Sequence, residues 1–371
     1  MLLNNCNIIN LLNKIKNEHM QLIYFGAGKQ LTEACGFFSE FSFFDYIYRI
    51  IDNNPKTFTW QGKSKEAILP SDILNNINPE QIIIYITPTQ CLEIYEQLDK
   101  MPHLSSVECY IHNFVVHMPL PYKFEECQSS EKKLIPKVIH YCWFGGNEMP
   151  EQYNIWMESW QKHCPDYTIV RWDEKNYDIS KNQYMYTAYK NKKYAFVADY
   201  ARLDIIYEHG GTYFDTDVEI IKNIDDLLYN QCFMGFSGPG VLNTGLGFGS
   251  VKRFPLIKEM RDHYNDYEFI NDDSHLEIWN NGKHQSMVAQ KYGVKPLNKP
   301  QSICGAVLLP TDVLCPFNWL RNPIAFTDNT YAVHHFNSSW YDVELLSKRN
   351  WQYSSSDAMF KKLIEKAEKN V

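Results

Sequence analysis

Apolar runs of four to six residues, each stopped by glycine or turn residues, mark the first third of the chain. Residues 22–25 read as a buried strand, stopped by Gly26-Ala27-Gly28, after which the pattern turns helical. A second strand covers 46–51 and ends at Asp52-Asn53-Asn54-Pro55. A third, apolar throughout, covers 82–86 and ends at Thr87-Pro88. Strands alternating with helical stretches indicate a small parallel α/β unit. The polar stretch 124–133 then reads as a linker.

Beyond it, 137–143 is an apolar strand stopped by Gly145-Gly146, 153–164 fits a helix and 168–172 is another strand. Residues 197–209 fit a helix closed by Gly210-Gly211, a pair that suits a left-handed C-terminal cap. Strand 212–214 runs straight into Asp215-Thr216-Asp217. The end, 355–371, has the spacing of an amphipathic helix with several lysines. We divide the chain into a Rossmann-like α/β domain at 1–125, a linker at 126–134 and a second α/β domain at 135–371.

Composition narrows the classes. With 44% hydrophobic and 22% charged residues the chain can bury a sizeable core and is not disordered. A net charge of -8 argues against a nucleic-acid partner, which would call for a basic patch. Ten cysteines are scattered without a C-x-x-C pair, which argues against zinc and suits a reducing compartment. The N-terminus lacks a secretory pattern, and no apolar run approaches the roughly 18–20 residues that span a bilayer. These features point to the cytoplasm, where the basic stretch 358–367 can rest on the inner face of an anionic membrane.

The acidic motif carries the chemistry. Two carboxylates flanking one residue at the end of an apolar strand repel each other unless a cation joins them. Residues i and i+2 of an extended chain point to one side, so Asp215 and Asp217 can face one ion. Hard cations such as Mn²⁺ and Mg²⁺ take oxygen ligands and keep positions open for phosphate oxygens. Upstream, Asp199 and Arg202 stand at i and i+3 of the expected helix, hence on one face. Arg202 can grip phosphate or sugar hydroxyls through its planar fork. The plainer readings are a solvated turn for the motif and a surface ion pair for Asp199 and Arg202.

Ala198-Asp199-Tyr200-Ala201-Arg202, followed by Gly-Gly-Thr-Tyr-Phe-Asp215-Thr-Asp217, resembles the glycosyltransferase sugar-binding region that contains a DXD motif. That is glycosyltransferase family 32, which includes yeast α-mannosyltransferases and bacterial capsular polysaccharide enzymes. Ile135-Pro136-Lys137-Val138-Ile139-His140-Tyr141-Cys142-Trp143 resembles its opening strand, and His334-His335-Phe336-Asn337-Ser338-Ser339-Trp340 its closing motif. The resemblance implies a GT-A fold, a UDP- or GDP-sugar donor, Mn²⁺ or Mg²⁺, and retention of anomeric configuration. It implies that Trp143 stacks on the base and that Asp199 and Arg202 hold sugar and phosphate. Asp215 would contact ribose and the metal shell, and Asp217 would ligate the metal. His334 or His335 would complete the metal or diphosphate site, and Trp340 would close over the diphosphate. Adjacent histidines on a strand face opposite ways, so one of the two should reach the site. Asn243, in a glycine-rich stretch, is a candidate for shaping the sugar pocket, or else an ordinary turn residue.

The function expected is transfer of a hexosyl group to the hydroxyl of a glycan or lipid-linked saccharide, in bacterial surface polysaccharide synthesis. The competing readings are a non-catalytic sugar-nucleotide or glycan binder on a degenerate transferase fold and a toxin-like protein glycosyltransferase. An NAD-dependent oxidoreductase, suggested by Gly26, Gly28 and Asp52, leaves the second block unexplained. Leu31 stands where the third glycine of that fingerprint belongs, so a structural or regulatory role is expected for the first block.

Overall fold

The computed structural model describes residues 1–4, 6–74, 77–87, 90–272, 281–316 and 326–337. Pro88, Trp340 and the 355–371 helix lie outside them. The described chain forms two compact units, Met1–Leu120 and a second that begins at Pro121.

In the first unit, β1 (Leu2–Asn4), β2 (Gln21–Phe25), β3 (Ile47–Ile51), β4 (Thr57–Trp60), β5 (Lys63–Ile68), β6 (Ile82–Ile86) and β7 (Glu108–Ile111) form one sheet. Its order is β1-β7-β6-β2-β3-β5-β4, and every pair is parallel except β4 with β5. The order reverses between β2 and β6, the arrangement of a doubly wound α/β sheet. Strand β6 is buried at every position, as its unbroken apolar run requires. The Gly26–Asp52 pairing seen in the sequence is local: Asp52 Oδ2 accepts the Ala27 N–H at 2.6 Å and Oδ1 accepts the Asn54 N–H at 2.8 Å. Both carboxylate oxygens thus hold the strand-end loops together.

The second unit contains β8 (Val138–Cys142), β9 (Thr168–Trp172), β10 (Gly211–Tyr213), β11 (Val218–Ile220), β12 (Cys232–Gly238), β13 (Val241–Leu242), β14 (Phe248–Ser250), β15 (Gln301–Ile303), β16 (Ala306–Leu309) and β17 (Ala332–His334). The main sheet runs β15-β16-β12-β14-β10-β8-β9, with β13 on β12. Strands β8, β9 and β10 are parallel, and β14 runs against β10 and β12. Side-chain alternation fills a core on each face: Tyr213, Met234 and Leu308 in one, Phe233, Val307 and Leu309 in the other. Strands β11 and β17 pair apart from this sheet.

Residues expected to form a linker pack on this unit. Cys127 is buried, its carbonyl accepting from Asn230 Nδ2 at 2.9 Å, and the Leu134 N–H donates to the Leu228 carbonyl at 2.8 Å. The polar composition of 124–133 reflects its outer face, and the boundary of the units falls earlier, at Leu120 and Pro121.

Helix Tyr194–His209 is buried at every position from 196 to 206. A helix enclosed all round needs apolar residues or fully paired polar ones, and it carries Asp199, Arg202 and Asp204. It ends at Gly210, whose N–H reaches the Ile206 carbonyl at 2.8 Å. Gly210 has φ 69° and ψ -175°, so the expected left-handed helical cap is instead an extended turn that glycine alone adopts readily. Gly211 follows at φ +100°, and a Cβ there would fall 2.8 Å from the Val138 carbonyl. This turn sends the chain into β10, in register with β8 through Thr212 and Ile139. Among the described residues no helix is long and apolar enough to cross a membrane.

Gly211→Ala should therefore cost about 1–3 kcal/mol of stability. The measurement is a urea unfolding curve, with a lower midpoint and an unchanged slope expected; an unchanged midpoint would contradict the close approach of the two strands.

Candidate functional site

The buried helix and the end of β10 meet at one guanidinium. Arg202 Nη2 lies 3.0 Å from Asp199 Oδ1 and 3.1 Å from Asp215 Oδ1. Its Nε donates to the Ala198 carbonyl at 3.1 Å, and its guanidinium carbon stands 5.1 Å from the centroid of the Tyr213 ring. The Tyr213 hydroxyl donates to Asp215 Oδ1 at 3.0 Å. The Arg202 and Asp199 side chains are 3% and 9% exposed, so this is no surface pair. Surface helix pairs are worth a few tenths of a kcal/mol, whereas stranding one partner of a buried pair costs about 3–5 kcal/mol. Arg202 Nη1 is buried and has no hydrogen-bond partner among the described residues.

Burial dominates the local electrostatics. It raises the Asp199 carboxyl to about 6, against the opposing pull of Arg202. It raises Asp215 as well, again against Arg202, with Asp217 adding to the rise. Burial works against the Arg202 charge, yet Asp215, Tyr213 and Asp199 hold its pKa above the ordinary value.

Asp215 and Asp217 converge, although not through strand alternation. Strand β10 stops at Tyr213, and 215–218 form a turn closed by the Val218 N–H on the Asp215 carbonyl at 3.0 Å. The turn leads into β11, which pairs Val218 with His334 of β17. His334 Nε2 lies 3.3 Å from Asp217 Oδ1. One ligand atom from each of Asp215, Asp217 and His334 lies within 4.8 Å of the others. His335 faces away, with Nε2 3.0 Å from Glu219 Oε2 and its ring stacked 4.5 Å from Trp156. The structure thus brings His334 to the cluster and leaves His335 out of it.

Burial opposes charge on Asp217, but His334 and the Asn337 N–H hold its carboxyl at about 2. Burial likewise opposes charge on His334, and Asp217 outweighs it, raising the imidazole above its ordinary pKa. The Phe336 N–H meets His334 Nδ1 at 3.2 Å, leaving Nε2 as the nitrogen that faces the carboxylates.

Asn243 is a turn residue beside this site. Its Oδ1 accepts the Gly245 N–H at 2.8 Å, and the Gly245 carbonyl accepts the Asp215 N–H at 3.2 Å. A Cβ on Gly245 would meet Asp215 Oδ2 at 2.4 Å, Asn243 Oδ1 at 3.0 Å and Arg202 Nη1 at 3.2 Å. Three polar atoms therefore pack so closely on Gly245 that no side chain fits there. Trp143 follows β8, half-buried, with Nε1 donating to the Asn147 carbonyl at 2.8 Å and its ring 5.5 Å from that of Tyr153. Sequence reasoning assigned no role to Tyr213, which stands in the quoted motif, or to Gly245. It missed Tyr153 altogether, because nothing local links it to Asp217.

The trio of two carboxylates and one imidazole is a donor set that a divalent transition-metal cation can use. The trio can hold a divalent cation, and the Arg202 guanidinium beside it places a second positive charge where an anionic ligand would lie.

Residues 150–234 match the family model described as "Glycosyltransferase sugar-binding region containing DXD motif". The chain is 34% identical over 220 residues to "Uncharacterized glycosyltransferase L373" of Acanthamoeba polyphaga mimivirus, covering 56% of this chain and 84% of that one. It is 34% identical over 140 residues to "Inositol phosphoceramide mannosyltransferase 3" of Schizosaccharomyces pombe, covering 35% of this chain and 38% of that one. It is 33% identical over 153 residues to "Mannosyl phosphorylinositol ceramide synthase CSH1" of Saccharomyces cerevisiae, covering 38% and 39%. The chain thus spans less than two fifths of the length of these two fungal relatives.

Protons and a divalent cation compete for His334 Nε2 and the carboxylates. The His334 pKa is raised, so the proton is held below that value and released above it. Mn²⁺ affinity should climb with pH across the titration of His334 and level off beyond it, as read by calorimetry. His334→Ala should flatten that climb; an equally steep climb in that variant would exclude His334 from the cation's ligands.

Proposed function

The chain belongs to the family of glycosyltransferases whose sugar-binding region contains a DXD motif, its second unit being an α/β domain of the GT-A type, and from that premise we propose that it transfers a hexose from a UDP- or GDP-sugar to an acceptor hydroxyl with the help of Mn²⁺. The observation that carries this reading is the convergence of Asp215, Asp217 and His334 beside the buried Arg202.

In this reading Asp217 and His334 hold the cation, with Asp215 at its edge. Once bound, Mn²⁺ supplies positive charge against the leaving nucleoside diphosphate. Arg202 adds to that charge from a position fixed by Asp199, Asp215 and the Ala198 carbonyl, so little rearrangement accompanies bond breaking. Its Nη1, without a partner among the described residues, offers a donor to an oxygen of the diphosphate. Trp143, at the end of β8, is the candidate platform for the base, and Trp340 lies outside the described residues. As the bond from the anomeric carbon to the diphosphate oxygen breaks, the acceptor oxygen bonds to that carbon and its proton passes to the departing diphosphate oxygen; retention of configuration is part of the proposal.

The names of the fungal relatives favour mannose as the first sugar to test, hence GDP-mannose among the donors. Those names carry a phosphoinositol ceramide acceptor, while the motif resemblance suggested a growing surface polysaccharide. Both acceptors present a hydroxyl of a polyhydroxylated ring, which is the acceptor class proposed. Action at the inner face of a membrane, in the cytoplasm, fits either.

A donor-hydrolysis screen of UDP- and GDP-sugars with Mn²⁺ tests the proposal. Turnover of at least one donor is expected, reduced by about 10²-fold or more in Asp217→Ala. Donor binding without turnover would favour the non-catalytic sugar-nucleotide binder, and full activity in the variant would remove the motif from the chemistry.

A further inference from the structure

Asp217 is anchored by a segment far from it in sequence. The His335 N–H donates to the Asp217 carbonyl at 2.9 Å, and the Asn337 N–H donates to Asp217 Oδ2 at 2.8 Å. Between them Phe336 takes a left-handed conformation, φ +48°, which a bulky residue avoids unless both ends are pinned. One pin is Asp217. The other is the Asn337 side chain, whose Nδ2 donates to the Tyr153 hydroxyl at 2.7 Å.

Tyr153 stands in the first turn of helix Glu151–His163 and is 5% exposed. Its ring lies 5.5 Å from that of Trp143 and 5.6 Å from that of Trp156, and Trp156 stacks on His335. Aromatic rings on two sides fix the ring, and so fix the point in space where its hydroxyl receives Asn337. The same ring touches Trp143, the proposed base platform.

We propose that Tyr153 is a positioning residue: its hydroxyl, through Asn337, sets the Asp217 carboxylate and the adjoining His334 for a divalent cation. This rests on the Mn²⁺ reading above. The hydroxyl touches neither the cation nor the sugar. Removing it frees the Asn337 side chain, and the 335–337 turn then relaxes away from Asp217.

The test is calorimetric titration of Mn²⁺ alone into the full chain, for wild type, Tyr153→Phe, Asn337→Ala, the double variant and Asp217→Asn. Tyr153→Phe keeps the ring and its packing, and should weaken Mn²⁺ binding about three- to tenfold, the worth of one hydrogen bond. Asn337→Ala approaches the link from its other end without touching the helix and should show a loss of the same size. The double variant should be no weaker than the weaker single variant, because both remove one interaction. Saturating Mn²⁺ should restore donor turnover in Tyr153→Phe, moving the Mn²⁺ requirement and not kcat. Wild-type affinity in Tyr153→Phe, or losses that multiply in the double variant, would overturn the proposal while leaving the metal reading intact. No Mn²⁺ binding by the wild type, with Asp217→Asn indistinguishable from it, would overturn the metal reading and this proposal together.

Discussion

A buried arginine fixes the architecture of this site. Arg202 sits in a helix enclosed on all sides, where an isolated charge would be expelled by its loss of hydration. It is tolerated because Asp199 answers it from the same helix and Asp215 from the end of β10. Two elements that could otherwise slide are thereby held in one relation, and removing either carboxylate would strand charge at a cost of about 3–5 kcal/mol. The three groups do not fully satisfy one another: Nη1 has no partner among the described residues. A buried donor without a partner is a standing cost, and a ligand that supplies an acceptor there recovers it.

The remaining parts are arranged around that constraint. The Gly210–Gly211 turn lets β10 leave the helix and lie beside β8, which brings Trp143 and the acidic turn to the same end of the sheet. Asn243 folds its own loop so that Gly245, and no side chain, faces Asp215 and Arg202. The small β11–β17 ladder delivers His334 to Asp217 from more than a hundred residues away in sequence. Each device permits a close approach or brings a charge to the site, and none alone would define it.

Much of this was legible in the sequence, for physical reasons. Period and turn chemistry located β6 and β9 to the residue, and the helical repeat put Asp199 and Arg202 on one face. What failed depended on contacts distant in sequence. Alternation told that His334 and His335 face opposite ways, but only the pairing of Val218 with His334 decides which one faces the acids. The acids converge through a turn where extended geometry was expected, since β10 stops at Tyr213. The stretch 124–133 looked like a linker because its polar residues outnumber Cys127 and Phe124, which do the packing. The role of Tyr153 depends on a hydroxyl meeting an amide 184 positions later, and no local pattern carries that information.

The central claim is that one cluster of side chains holds a cation at Asp217 and His334 while Arg202 Nη1 receives an anionic ligand. Anomalous scattering at the manganese edge, from crystals grown with Mn²⁺ and GDP or UDP, tests it directly. The account predicts a peak ligated by Asp217 and His334, beside Asp215, with a nucleotide oxygen within hydrogen-bond reach of Arg202 Nη1. A peak at His335 and Glu219, or a nucleotide bound with Arg202 Nη1 still unpartnered, would contradict it.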